Sequence, residues 1–448
     1  MFRKILIANR GEIAIRIIRA CKEMGIATVA VFSEADREAL HVSLADESYC
    51  IGPAPVQQSY LNMSAVLSAA LLSKAEAVHP GYGLLSEEPK FAQRCEELGL
   101  VFIGPSAEVI KRMGDKDEAR RTAEQAGVAV IKGSGILRDA NEAIEWANEA
   151  GGYPVLIKAR AGGGGRGIRR VDAKEDLQEA FMLAASESQN AFGDGALYME
   201  QYLCPVKHIE MQLICDHHGN VICLGERECS MQRKNQKLIE ESPSPAVDAA
   251  LRRKMTQTSA KVAEAVGYHG VGTVEFLLTQ DGQVYFMEMN TRLQVEHPVT
   301  ELVTGLDLVK WQIRVAAGQP LDFTQQHIKL SGHAIECRIN AENPHENYRP
   351  SSGKITLLHI PGGPWVRFDS ALYQGYTIPP FYDSMIGKLI VHAQTREEAI
   401  RKMHAALCEM VIEGVDHNSD LQIALISDEE FREGKYTTDF LGRKDLHF

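Results

Sequence analysis

The sequence Glu288-Met289-Asn290-Thr291-Arg292-Leu293-Gln294-Val295-Glu296 alternates polar and apolar side chains without a break. Its even-numbered positions carry Glu, Asn, Arg, Gln and Glu, and its odd-numbered positions carry Met, Thr, Leu and Val. Successive side chains of an extended chain point to opposite faces, so this stretch predicts one polar face and one face packed in a core. The alternative is an edge hairpin with one solvated face, which would give the same alternation.

The strand before this stretch carries a carboxylate in an apolar setting. Residues 271–278 read Val-Gly-Thr-Val-Glu-Phe-Leu-Leu, and the turn Gln280-Asp281-Gly282 then returns the chain toward Glu288. This pattern predicts a hairpin in which Glu275 and Glu288 face each other. A buried carboxylate is costly unless a cation balances it, and Mg²⁺ prefers one or two carboxylates together with phosphate oxygens. A solvated edge hairpin explains Glu275 poorly, so the pair is a candidate magnesium site.

A glycine-rich segment, Gly162-Gly163-Gly164-Gly165-Arg166-Gly167, follows the apolar run at 155–158. Consecutive glycines let backbone N–H groups approach a phosphate without obstruction. Lys158 before the segment, Arg166 within it and Lys116 upstream supply positive charge for a triphosphate. The segment lacks the Gly-Lys-Ser or Gly-Lys-Thr of a Walker A motif. A flexible surface turn is the alternative, because glycine runs are also common in linkers.

The first hundred residues alternate apolar runs with helical patterns. Strands are predicted at 4–8 and 28–32, a helix is predicted at 12–24, and further apolar runs lie at 76–78 and 100–103. Alternating strands and helices favour a parallel, doubly wound sheet. No GxGxxG sequence follows the first strand, so no NAD-binding site is predicted.

Beyond residue 114 the pattern changes twice. Helices are predicted at 117–126 and 141–150 on either side of a short strand, and long strands at 206–214 and within 271–290. After about residue 331 predicted strands and tight turns dominate, and a last helix is predicted at 396–410. A chain of 448 residues is too long for one ordinary core. The sequence therefore predicts a mixed α/β protein of roughly three packed domains.

The composition narrows the classes of function. The net charge is −12, so the chain lacks the global basic surface of a nucleic-acid-binding protein. It has no apolar run of about 18 residues, which argues against a membrane span, and the first strand is too short for a signal peptide. The nine cysteines are scattered without CxxC pairs, which favours reduced thiols and a cytoplasmic location over disulfides or a zinc site.

Seven segments together resemble biotin carboxylase, a member of the ATP-grasp family. They lie at 7–14, 79–83, 113–116, 154–158, 162–167, 288–301 and 383–389. The most discriminating piece is Gln294-Val295-Glu296-His297-Pro298-Val299-Thr300-Glu301. The resemblance implies an ATP-grasp fold with a doubly wound N-terminal domain at 1–113, an ATP-grasp domain at 114–330 with a mobile lid at about 131–203, and a strand-rich C-terminal domain at 331–446.

The resemblance also implies roles for individual residues. ATP would be held by Lys116, Lys158, Gly163, Gly164 and Gly165, by the hinge residues Glu200, Gln201 and Leu203, and by His208 and Gln232. The ligands of Mg²⁺ or Mn²⁺ would be Glu275, Glu288 and Asn290. Bicarbonate would be surrounded by Lys237, Arg292, Gln294 and the backbone of Val295. Glu296 would be the general base, and biotin would contact Arg338 and Tyr82.

Three of these residues also have purely structural interpretations. A lone His208 on a strand is more often structural, Tyr82 belongs to a strand-end turn, and Arg338 would serve equally as an ion-pair partner. Two positions depart from the family pattern, because Asn235 stands where histidine is usual and Gln201 replaces a common lysine. The change at Asn235 predicts an affinity for ATP that differs from that of other members, whereas the backbone contacts of the hinge would survive the change at Gln201.

The implied activity is ATP- and bicarbonate-dependent carboxylation of biotin through carboxyphosphate. The chain shows no Met-Lys-Met segment and no carboxyltransferase region, so the expected partners are a separate biotin carboxyl carrier protein and carboxyltransferase subunits. The resemblance also implies a homodimer, although these residues do not separate a monomer from a dimer. Acetyl-CoA carboxylase of fatty acid synthesis is the expected complex, with propionyl-CoA, pyruvate, 2-oxoglutarate and urea systems as alternatives. Two other functions remain open: an ATP-grasp ligase that joins a carboxylate to an amine, and a nucleotide-binding regulator without turnover.

Overall fold

The computed structural model describes residues 1–160, 167–444 and 446. Its N-terminal part contains a parallel sheet and five helices. The strands are β1 (Lys4–Ile7), β2 (Ala27–Phe32), β3 (Glu47–Cys50), β4 (Ala77–His79) and β5 (Val101–Phe102). The helices are α1 (Gly11–Glu23), α2 (Leu40–Leu44), α3 (Met63–Leu72), α4 (Pro89–Glu97) and α5 (Ala107–Gly114). All strand pairs are parallel, in the order β3-β2-β1-β4-β5.

This strand order confirms the predicted doubly wound sheet. The order reverses beside β1, which leaves a crevice at the carboxyl end of that strand. Ile5 and Ile7 of β1 are fully buried, and Ile13 and Ile17 of α1 belong to the same core. The continuous apolar run of β1 is typical of a strand covered on both faces.

The middle of the chain contains two antiparallel groups of strands. The strands are β6 (Val155–Ala159), β7 (Ile168–Val171), β8 (Leu197–Gln201), β9 (Val206–Cys215), β10 (Val221–Arg233), β11 (Gln236–Ser242), β12 (Gly270–Thr279) and β13 (Val284–Asn290). The helices are α6 (Lys116–Gln125), α7 (Ala140–Ala150), α8 (Lys174–Phe192), α9 (Ala249–Ala265), α10 (His297–Thr304) and α11 (Leu308–Ala316). β7, β6 and β8 form a small separate sheet within the predicted lid.

The C-terminal part is rich in strands, as predicted. The strands are β14 (His333–Asn340), β15 (Glu342–Asn343), β16 (Arg349–Pro350), β17 (Gly353–Lys354), β18 (Leu357–His359), β19 (Val366–Ser370), β20 (Thr377–Ile378), β21 (Met385–Ala393) and β22 (Val411–Glu413). The helices are α12 (Arg396–Glu409), α13 (Ser419–Ser427), α14 (Glu429–Arg432) and α15 (Phe440–Arg443). Within the described residues, no helix has the length and hydropathy that a membrane span requires.

One sheet of eight strands joins the middle and C-terminal parts. Its order is β13-β12-β9-β10-β11-β14-β21-β19. β11 pairs with β14 in an antiparallel register that sets Glu240 opposite Glu336. The sheet is therefore continuous across residue 330, where the sequence predicts a boundary between domains.

Glu241 on β11 connects this sheet to α12, through Arg396, and to Tyr436 between α14 and α15. Its carboxylate accepts hydrogen bonds from Arg396 Nε (2.7 Å) and from the hydroxyl of Tyr436 (2.6 Å), and it lies 2.6 Å from His333 Nε2. Burial alone would raise the pKa of Glu241, but the contacts with His333 and Arg396 lower it to about 2. The charged form of this buried carboxylate is therefore part of the folded structure.

The polar stretch 288–296 is not one extended strand, and this part of the sequence-based prediction is wrong. β13 ends at Asn290, and the chain then turns until Glu296, which is the N-cap residue of α10. Pro298 in the first turn of α10 suits a helix start, because its missing N–H would have no helical partner there. The stretch therefore brings its polar side chains together through a turn rather than along one face.

Candidate active site

Three glutamates form a row across the eight-stranded sheet. The register sets Glu288 of β13 opposite Glu275 of β12, and Glu275 opposite Glu210 of β9. The next position in the row is Arg227 of β10, opposite Glu210. Directly opposed side chains on neighbouring strands share a face of the sheet. We call Glu288, Glu275 and Glu210 the carboxylate row.

Lys237 of β11 lies against this row. Its Nζ is 2.6 Å from Glu210 Oε2, 3.2 Å from Glu275 Oε1 and 2.6 Å from Glu296 Oε1. Burial alone would lower the pKa of Lys237, but these carboxylates raise it well above its ordinary value. The ammonium group therefore remains charged.

Glu296 lies between two cations. Its Oε2 is 3.0 Å from Arg338 Nη2, while its Oε1 contacts Lys237. Burial of Glu296 would raise its pKa, but Lys237 and Arg338 together lower it well below the ordinary value. Arg338 is held from its other side by Glu240, whose Oε1 accepts from Arg338 Nε at 2.6 Å. The predicted base and the predicted biotin residue are thus in direct contact.

The first two members of the carboxylate row fit a divalent cation. Burial and the charge of Glu275 raise the pKa of Glu288. Among the described residues, Lys116 is the cation in contact with Glu288, with Nζ 3.9 Å from Oε2. Glu275 Oε1 accepts from Asn290 Nδ2 at 2.8 Å and from Gln294 Nε2 at 3.0 Å. A cation between the two carboxylates would relieve their repulsion, and carboxylate oxygens are ligands that Mg²⁺ prefers.

Two other groups of possible metal ligands occur among the described residues. They are His208, Glu210 and Glu275, and Glu210, Cys229 and Glu296, each set within 4.8 Å. Lys237 already contacts both Glu210 and Glu275, and it also contacts Glu296. Because this ammonium balances their charge, neither group requires a metal for charge balance.

Arg292 lies beside the carboxylate row and is oriented by three residues. Its Nε donates to Glu87 Oε2 at 2.7 Å, its Nη1 to Gln294 Oε1 at 2.9 Å and its Nη2 to Asn290 Oδ1 at 3.0 Å. Glu87 also accepts from the backbone N–H of Thr291 at 3.0 Å. The turn after β13 is therefore anchored to the N-terminal part of the chain.

His208 and Gln232 lie behind Glu275. Gln232 Nε2 lies 2.9 Å from His208 Nδ1 and donates to the carbonyl of Cys229 at 2.8 Å. On its other side, His208 Nε2 lies 3.0 Å from Glu275 Oε2. In this arrangement, both predicted nucleotide residues support a predicted metal ligand.

The predicted hinge lies at the end of β8. Lys158 on β6 forms an ion pair with Glu200 on β8, its neighbour strand. Gln201 and Leu203 line a cavity of about 300 Å³ that Val130, Ile131 and Tyr285 also line. The charged side chains of Arg120, Glu124 and Lys132 line the same cavity, so its wall is as polar as it is apolar. The predicted phosphate contacts Gly163, Gly164 and Gly165 lie outside the described residues.

Tyr82 lies at the side of the site that faces the N-terminal sheet. Its hydroxyl donates to Glu12 on α1. Asn9 Nδ2 donates to the carbonyl oxygens of Pro80 at 2.6 Å and Tyr82 at 2.8 Å. These bonds fix the strand-end turn that the sequence predicts at this position.

Asn235 lies at the tip of the hairpin between β10 and β11. Lys234 and Asn235 have φ values of 47° and 64°. Asparagine tolerates this left-handed conformation better than most residues that carry a side chain. The departure from histidine at this position therefore preserves the turn that presents Gln232 and Lys237.

Several residues of the site were not predicted from the sequence. They are Glu12, Glu87, Glu210, Arg227 and Glu240. Glu210 had a readable signal, because it lies between Ile209 and Met211 just as Glu275 lies in an apolar strand. The others contact the site from distant parts of the chain and carry no local pattern.

Three family models match consecutive parts of the chain. The biotin carboxylase N-terminal domain matches residues 1–110, the ATP-binding domain of carbamoyl-phosphate synthase L chain matches 115–324, and the biotin carboxylase C-terminal domain matches 336–443. The chain is 53% identical to biotin carboxylase 1 of Bacillus subtilis over 448 residues, which is 100% of this chain and 99% of the relative. It is 51% identical to biotin carboxylase of Haemophilus influenzae, with 99% of each chain covered.

Solved structures give the same result. A biotin carboxylase–β,γ-ATP complex from Campylobacter jejuni has a TM-score of 0.97 and 49% identity, with 99% of each chain covered. The biotin carboxylase domain dimer of Hydrogenobacter thermophilus 2-oxoglutarate carboxylase, with MgADP, ADP and bicarbonate, has a TM-score of 0.96 and 50% identity, with 99% of this chain and 97% of that chain covered. The chain belongs to the biotin carboxylase family of ATP-dependent ligases.

Proposed function

We propose that the chain uses ATP and bicarbonate to carboxylate biotin on a separate carrier protein, with carboxyphosphate as the intermediate. The observation that carries this proposal is the position of Glu296 between Lys237 and Arg338, beside the carboxylate row. One carboxylate that contacts two cations provides a proton acceptor and two sites for negative charge within a single buried space.

Bicarbonate is a weak nucleophile, and Glu296 is the group that would remove its proton during attack on the γ-phosphorus. Lys237 and Arg292 would hold the anion, with Gln294 and the Val295 backbone beside them. In the free site Lys237 and Arg338 hold the pKa of Glu296 low. An anion that draws these cations toward itself would leave Glu296 a stronger base at the moment it is needed.

The phosphate side of the proposal rests on Lys116, Lys158, Glu275 and Glu288. A Mg²⁺ or Mn²⁺ ion held by Glu275 and Glu288 would neutralise charge on the phosphates. Asn290 is the third proposed ligand, and its amide now bridges Glu275 and Arg292. The base of ATP would lie at the hinge, where Gln201 and Leu203 line the cavity.

Biotin would enter beside Tyr82 and Arg338. Carboxyphosphate breaks down to carbon dioxide and phosphate. The released phosphate would take the proton of the ureido nitrogen N1 of biotin, and N1 then attacks carbon dioxide. The Arg338 guanidinium would stabilise negative charge on the ureido oxygen. Water must be excluded, because it would hydrolyse carboxyphosphate, and the predicted lid at 131–203 is the segment proposed to do so.

We propose a biotin carboxyl carrier protein and carboxyltransferase subunits as partners, a homodimer as the assembly and the cytoplasm as the location. The B. subtilis and H. influenzae relatives, which match over 99% of their length, support a subunit of this size. Acetyl-CoA carboxylase is the proposed complex. A biotin carboxylase subunit of pyruvate carboxylase is 49% identical with a TM-score of 0.84, so pyruvate and 2-oxoglutarate are the acceptors to test beside acetyl-CoA.

The deciding experiment measures ADP release with and without bicarbonate and free biotin. We expect release that requires bicarbonate and increases with biotin. Release that needs an amine or amino acid and ignores bicarbonate would select another ATP-grasp ligase. ATP binding without turnover under every condition would select a regulatory protein. Addition of carrier protein, carboxyltransferase and each acyl acceptor in turn then identifies the complex.

A further inference from the structure

Lys388 is a fully buried lysine that the proposed chemistry does not use. It lies on β21 opposite Arg338 of β14, so the two side chains share a face of the sheet. Its Nζ donates to the carbonyl oxygen of Val295 at 2.7 Å and lies 3.1 Å from Glu12 Oε1. A buried lysine is retained only where charge and hydrogen bonds compensate its loss of water.

The carbonyl group of Val295, which accepts the hydrogen bond from Lys388, lies in the peptide plane that joins Val295 to Glu296. A planar peptide leaves two soft dihedrals per residue, so fixing this oxygen restricts the direction of the Glu296 side chain. The backbone of Val295 is also the one proposed to contact bicarbonate. Lys388 therefore acts on the bicarbonate side of the site through backbone alone.

The partner of Lys388 reaches the other side of the site. Glu12 Oε1 also accepts the hydroxyl of Tyr82, which is proposed to contact biotin. One ion pair thus joins three distant segments: α1, the turn before α10 and β21. Two other acids face Lys388, but Asp369 is held by Arg367 at 2.6 Å and Glu336 has no hydrogen-bond partner. Glu12 is the direct partner of the ammonium group.

We propose that Lys388 and Glu12 form a positioning pair that sets the bicarbonate side of the site, at Val295 and Glu296, against the biotin side, at Tyr82. This inference rests on the proposed function and adds to it two residues that touch neither substrate. It requires that the pair affects the use of bicarbonate and biotin more than the use of ATP.

The test separates positioning from folding. Lys388→Met alone leaves Glu12 as an unpaired buried charge, which destabilises the fold. Lys388→Met with Glu12→Gln removes both charges, while glutamine can still accept from Tyr82. Arg396→Met is the matched control, because it takes a cation from buried Glu241 on β11 and touches no proposed substrate residue.

We expect Lys388→Met/Glu12→Gln to regain most of the melting temperature lost in Lys388→Met. Its kcat/KM for bicarbonate should still be roughly 10- to 100-fold below that of the parent, because a misplaced reacting group costs about this much. The KM for ATP should change little, and biotin should stimulate ADP release less. Arg396→Met should lower the melting temperature without changing the KM for bicarbonate.

A double variant with the parent's kcat/KM for bicarbonate and normal stimulation by biotin would overturn the positioning role. A matching rise in the KM for ATP would do the same, because it would indicate general disturbance of the site. A parent enzyme that ignores bicarbonate would instead refute the proposed function itself, whatever the variants do. The two failures are therefore distinguishable.

Discussion

Glu296→Gln removes one charge from the centre of the site and keeps the size of the side chain. Lys237 would retain Glu210 and Glu275 as partners, and Arg338 would retain Glu240. No buried cation is left unpaired, so the loss of stability should be that of weakened hydrogen bonds, about 1–3 kcal/mol. Breaking an isolated buried ion pair would cost about 3–5 kcal/mol, and a protein of this size should remain folded in either case.

The effect on rate should be larger than the effect on folding. A positioned general base contributes about 10²- to 10⁴-fold, which is about 3–5 kcal/mol of activation free energy. Glutamine cannot accept the proton of bicarbonate. Bicarbonate-dependent ADP release should therefore fall by this factor, while ATP binding stays near the parent's affinity because the proposed ATP residues are unchanged.

The assay is ADP release at saturating ATP over a range of bicarbonate concentrations, with nucleotide binding measured separately by calorimetry. Glu226→Gln is a suitable control, because Glu226 is also fully buried and paired with an arginine, Arg252, at 2.6 Å. It should lose stability but keep its turnover. A Glu296→Gln enzyme with the parent's rate would refute the assignment of Glu296 as the base.

Three further predictions concern metal binding, acid stability and the turn at Gly81. Glu288→Gln should weaken Mn²⁺ binding by about tenfold or more, as measured by electron paramagnetic resonance without turnover, since one of two carboxylate ligands is lost; unchanged binding would contradict the site. Burial would raise the pKa of Glu241, but its partners lower it from 4.5 to about 2, so its stabilisation is complete above pH 4.5 and is lost as the pH falls toward 2. Glu241→Gln should therefore reduce the free energy of unfolding by about 3 kcal/mol at pH 7, with a smaller difference in denaturant titrations at lower pH; a constant difference would be inconsistent with this origin. Gly81→Ala should lower stability by about 1–3 kcal/mol, visible as a lower melting temperature, because φ is +65° and its Cβ would lie 2.9 Å from Asn9 Nδ2.

The N-terminal sheet could be predicted from local patterns alone. The apolar run in β1, the helical pattern of α1 and the second apolar run in β2 follow one another within 32 residues. Such strands are buried on both faces and read as continuous apolar runs. Hairpin β12–β13 was also readable, because the turn at Asp281-Gly282 separates two apolar strands.

β10 and β11 could not be recognised in the same way. β10 contains Glu226, Arg227 and Glu228, all fully buried, and such a charged run is typical of an exposed segment. These charges are tolerated because partners from other strands and helices satisfy them. Arg227, for example, donates from Nη1 to Thr300 Oγ1 of α10 at 2.9 Å. The partners are distant in sequence, so the pattern of one strand does not reveal its burial.

The site residues that could be predicted are those whose role is indicated by the sequence immediately around them. Glu275, Glu288 and Glu296 were identified from their position in apolar or alternating sequence, and the fold brings them into or beside the carboxylate row. Glu87 could not be predicted from the sequence, because it lies 205 residues before Arg292, which it orients. Such contacts depend on how the N-terminal sheet docks on the rest of the chain.

The pairing of β11 with β14 restricts how this protein can be rearranged. Lys237 and Arg338, on either side of Glu296, are supplied by strands that hydrogen-bond to each other across residue 330. A chimaera of two relatives joined at that point would take β11 from one parent and β14 from the other. Functional chimaeras should therefore have their crossover points elsewhere, so that both strands are inherited from one parent.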